Sequence, residues 1–297
     1  MKAWKASIRF FIRGFVILNY LLVRLLPIRT AVFTGGIIGA ILYYLLKKDR
    51  ERSIRNLREA FPARSAHEIR SIARESFINQ GKNFMELLCF PRLNRKRLKK
   101  LVEFNGEEIL RENLNKGKGI IILMSHLGNW ELQAGTIGTL GYPVNAIARK
   151  VYDPVLNGML VSLRLKIGYR TILRGESPRE ILQAFKNNEI LLILLDQYSS
   201  AIPGVMVNFM GRECYTSIGL ASMAVRNDIP VIPCFTVRKG GRHSLYVEEP
   251  VQLLRTGDRE KDILDNTQAY TGIIEKWVRK YPAQWVWMHD RWRKQKP

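Results

Sequence analysis

A histidine and a glutamate stand five residues apart in "SHLGNWE", residues 125–131, directly after the apolar run "GIIILM". On one continuous helix that spacing would set the two side chains about 140° apart, on different faces. Gly128 and Asn129 intervene, however, and Asn129 is a good N-cap with Trp130 and Glu131 in the first helical turn. His126 then sits on the turn before the helix, where Glu131 can reach back to the imidazole. A helix N-terminus also favours an ionised glutamate. A carboxylate on one ring nitrogen fixes the tautomer and stabilises the imidazolium, which leaves the other nitrogen as a general base. Such a base can take the proton of a substrate hydroxyl that attacks an activated acyl group directly, with no protein nucleophile. Ser125 is adjacent, but "LMSHL" is not a G-x-S-x-G elbow. Only four histidines exist (67, 126, 243 and 289) and H-E-x-x-H is absent, so zinc is not indicated. A turn histidine can also simply cap a helix, so the elements around it decide.

Those elements alternate. "GIIILMS" (119–125), "VNAIA" (144–148), "YRTIL" (169–173), "EILLILLD" (189–196) and "PVIPCFTV" (230–237) read as short buried strands. Helical patterns lie between them at about 130–140, 154–167, 178–187 and 216–227. Asp153-Pro154 and Ser177-Pro178 each put a capping residue before a proline at the first helical position. "HSLYVEEPVQL" after Gly240-Gly241 reads as an antiparallel return strand, while residues 50–115 and 259–281 read as mainly helical. This alternation predicts an α/β fold with a mostly parallel central sheet flanked by helices. In such sheets functional groups gather at the carboxyl ends of strands. His126, Arg149 and Asp196 end three of them. Arg149 there is either a surface charge or an electrostatic stabiliser of a developing oxyanion. Asp196 is either a structural carboxylate paired with an arginine or backbone amides, or part of the same crevice.

The charge is uneven. Residues 1–100 hold 22 Lys and Arg against 6 Asp and Glu, which places most of the net charge of +22 at one end of the chain. An anionic partner surface follows. Around "IRFFIRGFVILNYLLVRLL", residues 8–26, Lys2, Arg9, Arg13, Tyr20 and Arg24 fall on one side of a helix, and Ile8, Phe11, Phe15, Leu18, Leu22 and Leu26 on the other. "TAVFTGGIIGAILYYLL", residues 30–46, carries no charge. As a helix it would reach roughly 25 Å, a little short of a bilayer core of about 30 Å. It suits a short span, a re-entrant hairpin or a helix buried in protein. Arginines inside the first apolar run, and the lack of an A-x-A site, argue against a cleaved signal peptide. The reading is a membrane-associating segment over 1–48 and a catalytic domain over 49–297, on the cytoplasmic side of the membrane. "RLNRKRLKK", residues 92–100, adds a basic cluster, but no zinc finger, RNP-type motif or helix-turn-helix accompanies it. Lipid head groups account for basic clusters and apolar helices together; nucleic acid accounts only for the first. Cys89, Cys214 and Cys234 are widely spaced and odd in number, so neither a disulfide framework nor a metal site is expected.

"SHLGNWE" resembles the H-x4-D/E motif of glycerolipid-type acyltransferases, and its glutamate form is similar to the lipid A biosynthesis (lauroyl/myristoyl) acyltransferase family, within the lysophospholipid acyltransferase-like superfamily. "RNLREAFP" (55–62), "DQ" (196–197), "VNFMGRECYTSIGLASMAVRNDIPVIP" (207–233) and "YPAQWVWMHDRWR" (281–293) look like further blocks of that family, in its order. The resemblance implies a membrane-bound O-acyltransferase at the inner membrane that moves a fatty acyl chain from acyl carrier protein to a hydroxyl of a phosphorylated glycolipid, a lipid A precursor. It implies His126 as base and Glu131 as its partner, with Asn129, Arg149, Arg164, Asp196 and Gln197 toward substrate. No metal or organic cofactor is required by that mechanism. Related chains act on phosphatidylinositol mannosides and other lipids, so a lysophospholipid, glycerol phosphate or another glycolipid stands as the alternative acceptor. A non-enzymatic basic membrane-binding protein is the second alternative. Trp285, Trp287 and Trp292 are read as packing or interface-belt residues.

Overall fold

In the computed structural model, residues 2–173 and 178–293 are described, with side chains from residue 10 onward. Ser177 and the side chains of Lys2, Ile8 and Arg9, all used in the sequence reading, lie outside them.

Four helices come first: α1 (Lys2–Leu22), α2 (Ile28–Leu45), α3 (Lys47–Ala60) and α4 (Ala66–Leu88). The loop at Pro27 separates the first two, because proline fits only the entry of a helix. Ser65 and Glu68 close a capping box at the start of α4. Then α5 (Arg95–Leu101), β1 (Val102–Asn105) and α6 (Glu107–Leu114) lead into the alternating part of the chain. That part runs β2 (Ile120–Met124), α7 (Trp130–Thr139), β3 (Val144–Ala148), α8 (Pro154–Lys166), β4 (Tyr169–Leu173), α9 (Pro178–Lys186) and β5 (Ile190–Leu194). A hairpin of β6 (Gly204–Phe209) and β7 (Arg212–Ser217) follows, then α10 (Gly219–Asn227), β8 (Val231–Lys239), β9 (Arg242–Val247) and α11 (Arg259–Lys280).

The sheet has the order β1-β9-β8-β2-β5-β3-β4, with only the β8–β9 pair antiparallel. The expected α/β fold, its mostly parallel sheet and the return strand are therefore present. Two elements differ from the sequence reading. β1 is a four-residue edge strand inside a stretch read as helical, too short to show alternation. The β6–β7 hairpin occupies the first residues of the pattern read as a helix over 216–227, so that helix starts at Gly219.

Strand side chains alternate between two packed layers. Ile121, Leu123 and Leu191 face a core shared with α3, α4, α10, α11 and the C-terminal tryptophans. Ile120, Ile122 and Met124 face a second core shared with α5, α6, α7 and α8. Trp285, Trp287 and Trp292 are core residues, as expected of packing groups, and the three cysteines are buried and free.

α2 is the one described helix long and apolar enough to cross a membrane. One stripe of it (Ala31, Gly35, Gly39 and Tyr43) is buried, while Phe33, Ile37, Ile41, Tyr44 and Leu45 are exposed. The buried stripe lies directly on α4. A Cβ at Gly81 would stand 2.1 Å from the Gly35 carbonyl oxygen, and one at Gly39 would stand 2.3 Å from that of Phe77. Neither backbone can yield without moving a helix. Gly81→Ala is therefore expected to part α2 from α4 at a cost of about 1–3 kcal/mol. Thermal unfolding in detergent should show a midpoint about 3–10 °C lower. Gly272→Ala, on α11 with open space around it, should leave the midpoint unchanged or raise it.

Candidate active site

β2 and β5 are parallel neighbours in register, with Met124 opposite Leu194. Two residues beyond each, at the carboxyl edge, stand His126 and Asp196. Neighbouring strands lie about 4.8 Å apart, so equal offsets bring those two side chains together. His126 Nδ1 is 2.8 Å from Asp196 Oδ1, and the His126 backbone N–H donates to Asp196 Oδ2 at 2.8 Å. Trp285 Nε1–H donates to the same Oδ2 at 2.7 Å. Burial pushes the Asp196 carboxyl up, but the pairing with His126 and the hydrogen bonds from His126 and Trp285 outweigh it and hold the group below the usual carboxylate range. An ionised Asp196 requires the proton of the His126–Asp196 bond on Nδ1, which leaves Nε2 as the basic atom. The imidazole packs edge-on against Trp130, with centroids 4.9 Å apart.

Glu131, read as the partner of His126, makes no hydrogen bond to it. It sits in the first turn of α7, as expected, but its carboxylate is taken by α8 and β4. Arg164 Nε–H donates to Glu131 Oε2 at 2.9 Å, Arg164 Nη2 donates to Oε1, and the Tyr169 hydroxyl donates to Oε2. A bidentate guanidinium and a phenol satisfy the carboxylate fully. Asn129 is the N-cap read from the sequence, accepting from the Leu132 N–H at 2.9 Å. The structure does not bring it to the cavity wall as a substrate group: it is 1% exposed, and its amide donates to Glu86 at 2.6 Å. Asp196, expected toward substrate, is likewise buried at 1% exposure behind His126.

His126, Trp130, Glu131, Arg149, Arg164, Gln197 and His289 share the wall of one cavity of about 850 Å³. The rest of the wall is mostly apolar, including Leu160, Ile181, Leu192, Leu194, Ile202 and Met223. That volume is within the range of about 300–1,000 Å³ usual for ligand pockets. Arg149 is exposed, with no hydrogen bond or ion pair to another described residue. No cluster of metal-ligating side chains occurs among the described residues.

The turn between β2 and α7 is gripped from beneath. Asn83 donates to the Gly128 carbonyl, and Gly128, at φ +58°, donates its own N–H to the Gln284 carbonyl at 3.0 Å. A Cβ at Gly128 would overlap the Thr236 carbonyl, so only glycine fits. Glu86 holds Asn129, Arg238 and His243 together, with contacts of 2.6 to 2.9 Å. Ser76 on α4 accepts no such role from the sequence, yet its hydroxyl donates to the Trp285 carbonyl at 2.6 Å. Trp285, Glu86 and His289 are the site residues that the sequence reading missed. Two of them lie in the family block 281–293, whose tryptophans the sequence reading gives to packing or an interface belt.

The profile of the family described as bacterial lipid A biosynthesis acyltransferase matches residues 3–294. The chain belongs to that family. It is an acyltransferase by that membership. A "Lipid A biosynthesis acyltransferase" of Haemophilus influenzae is 25% identical over 90% of this chain and 83% of its own. A "Lipid A biosynthesis palmitoleoyltransferase" of Escherichia coli is 25% identical over 90% of this chain and 86% of its own. A "Phosphatidylinositol mannoside acyltransferase" of Mycobacterium tuberculosis is 22% identical over 92% and 86%. A looser likeness is to the crystal structure of a Thermotoga maritima 1-acyl-sn-glycerophosphate acyltransferase, at 15% identity and TM-score 0.39, over 86% of this chain and 96% of that one.

Glu86 is 2% exposed. Burial pushes its carboxyl up, but His243 and Arg238 outweigh that and hold it far below the usual range. Its folded pKa thus lies below the unfolded value of about 4.3. The stabilisation it gives is fully present above that value and is lost as pH falls through the folded one. Glu86→Gln is expected to lower stability at pH 7 by about 3–5 kcal/mol, because the buried Arg238 guanidinium loses its counter-charge and His243 its carboxylate partner. Denaturant unfolding in detergent at pH 7 and pH 4 checks this, and the gap to wild type should narrow at the lower pH.

Proposed function

We propose that this chain transfers a fatty acyl group from acyl carrier protein to a hydroxyl of a lipid A precursor. The observation that carries the reading is a histidine with one ring nitrogen engaged by a buried carboxylate, set in the wall of a large apolar cavity. In this reading Nε2 of His126 takes the proton from the acceptor hydroxyl as its oxygen attacks the thioester carbonyl. Asp196 stabilises the resulting imidazolium, which returns the proton to the departing thiolate. The apolar wall receives the acyl chain. Arg149 faces the acyl carbonyl or a lipid phosphate, and Gln197 lines the same cavity. Glu131 acts through Arg164, which it holds against the cavity.

The membrane side follows from α1 and α2. Phe11, Phe15, Leu18 and Leu22, on the apolar face read from the sequence, are exposed on α1, and so are Phe10, Ile17 and Leu21 outside that face. Arg13 on the opposite side donates to Asp153 at 2.7 Å, and Asp153 also caps α8. Exposed Tyr152 and Val155 adjoin this link, and Val151 lies in the cavity wall. An apolar surface thus leads from α1 toward the site. Residues 1–48 would seat the catalytic domain, 49–297, on the cytoplasmic face of the inner membrane. The basic first third would meet anionic head groups, and an acidic carrier protein would meet the same sign of charge.

Purified wild type and His126→Ala, given acyl carrier protein loaded with a fatty acid and a tetra-acylated lipid A precursor, test the reading. Wild type should transfer, and the variant should lose about 10²–10⁴-fold in rate while staying folded. Transfer to lysophosphatidic acid or a phosphatidylinositol mannoside instead would move the acceptor and keep the base. Undiminished transfer by His126→Ala would remove the base.

A further inference from the structure

The cavity holds a second imidazole. His289 is on the same wall as His126, in the tail that follows α11. Its Nε2 is 3.1 Å from the backbone N–H of Tyr198, which lies just past β5. A backbone N–H can only donate, so Nε2 is an acceptor and carries no proton. A neutral His289 must then carry its proton on Nδ1. Nδ1 has no hydrogen-bond partner among the described residues, so this N–H has nothing in the protein to bind. The tail itself is fixed, since Asn56 donates to the His289 carbonyl at 3.0 Å and to the Trp287 carbonyl at 2.9 Å.

We propose that His289 is a neutral hydrogen-bond donor in the acyl-transfer site, its Nδ1–H directed at the acyl carbonyl oxygen as negative charge develops there. The inference rests on the acyl-transfer reading of His126. The two imidazoles divide the work. His126 has an anion on Nδ1 and becomes cationic during the reaction. His289 has a neutral N–H donor on Nε2 and stays uncharged. Around His289 the charged groups are Asp196, which favours its protonation, and His126 and Arg291, which oppose it together with burial; Asp290 favours it weakly. Burial leads, and His289 is held below the usual histidine range. When His126 takes the hydroxyl proton, its charge further disfavours a cation at His289. No bond to His289 forms or breaks. The attacking oxygen bonds to the acyl carbon, the thioester C–S bond breaks, and the proton passes through His126 to the thiolate. Among the cationic groups of the wall, Arg164 is committed to Glu131, which leaves Arg149 as the charged donor beside His289.

Two isosteric substitutions separate this role from a structural one. The asparagine amide nitrogen falls near the position of histidine Nδ1, and the glutamine amide group reaches the position of Nε2. His289→Asn keeps a donor toward the cavity and gives up the Tyr198 contact. His289→Gln keeps an acceptor for Tyr198 and gives up the donor. The expected order of kcat is wild type, then Asn, then Gln and Ala together, with Ala down roughly 100-fold and KM for the acyl donor within about three-fold of wild type. Gln near wild type with Asn as poor as Ala would overturn the proposal and leave His289 as a brace for Tyr198. Nitrogen-15 NMR of histidine-labelled protein gives a readout independent of turnover. At pH 7.5 His289 should show a neutral ring protonated at Nδ1. A cationic ring, or one protonated at Nε2, would overturn the proposal even in an active enzyme. Should His126→Ala prove as active as wild type, the base assignment fails, while the tautomer of His289 still stands or falls by its own spectrum.

Discussion

A carboxylate with no access to water keeps its charge only if protein groups replace the lost solvation. Asp196 meets that condition with three donors: the imidazole and the backbone N–H of His126, and the indole of Trp285. Most of the site's order can be traced to this requirement. The β2–β5 register brings His126 to one oxygen, and the C-terminal tail brings Trp285 to the other. α4 in turn holds the tail and the turn, through Ser76 to Trp285, Asn83 to Gly128 and Glu86 to Asn129. Segments far apart in sequence are thus tied to one buried charge.

The same helix α4 faces the N-terminal helices. Its Gly81 backbone touches α2, while its C-terminal turns carry Asn83 and Glu86 to the site. α1 is linked to the other wall of the cavity, since Arg13 binds the residue that caps α8, and α8 carries Arg164. The apolar N-terminus is therefore built into both sides of the site rather than appended to it.

Much of this was legible in the sequence, for definite reasons. Apolar runs of five residues flanked by helical patterns gave β2 to β5, and Asp153-Pro154 gave the start of α8. Asn129 as a cap, and His126 on the turn before it, followed from side-chain chemistry. The partner of His126 did not follow. A single sequence shows neighbours along the chain, and Glu131 was the nearest carboxylate. Asp196 is 70 residues away and arrives only because β5, not the next strand β3, pairs with β2. Strand order is a property of the whole sheet, and local pattern does not encode it. Trp285 and His289 were hidden for the same reason: tertiary contact, not spacing, gives them their partners.

The central claim is that Asp196, and not Glu131, orients the base. The most direct measurement compares kcat for acyl transfer by Asp196→Asn and Glu131→Gln, each shown by circular dichroism and thermal unfolding to be folded. An amide at 196 can no longer enforce the Nδ1–H tautomer or stabilise the imidazolium, so Asp196→Asn should lose about 10³–10⁴-fold. Glu131→Gln keeps an acceptor for Arg164 and should lose about ten-fold or less, with the pH profile of wild type. The reverse ranking, with Glu131→Gln inert and Asp196→Asn close to wild type, would contradict the account.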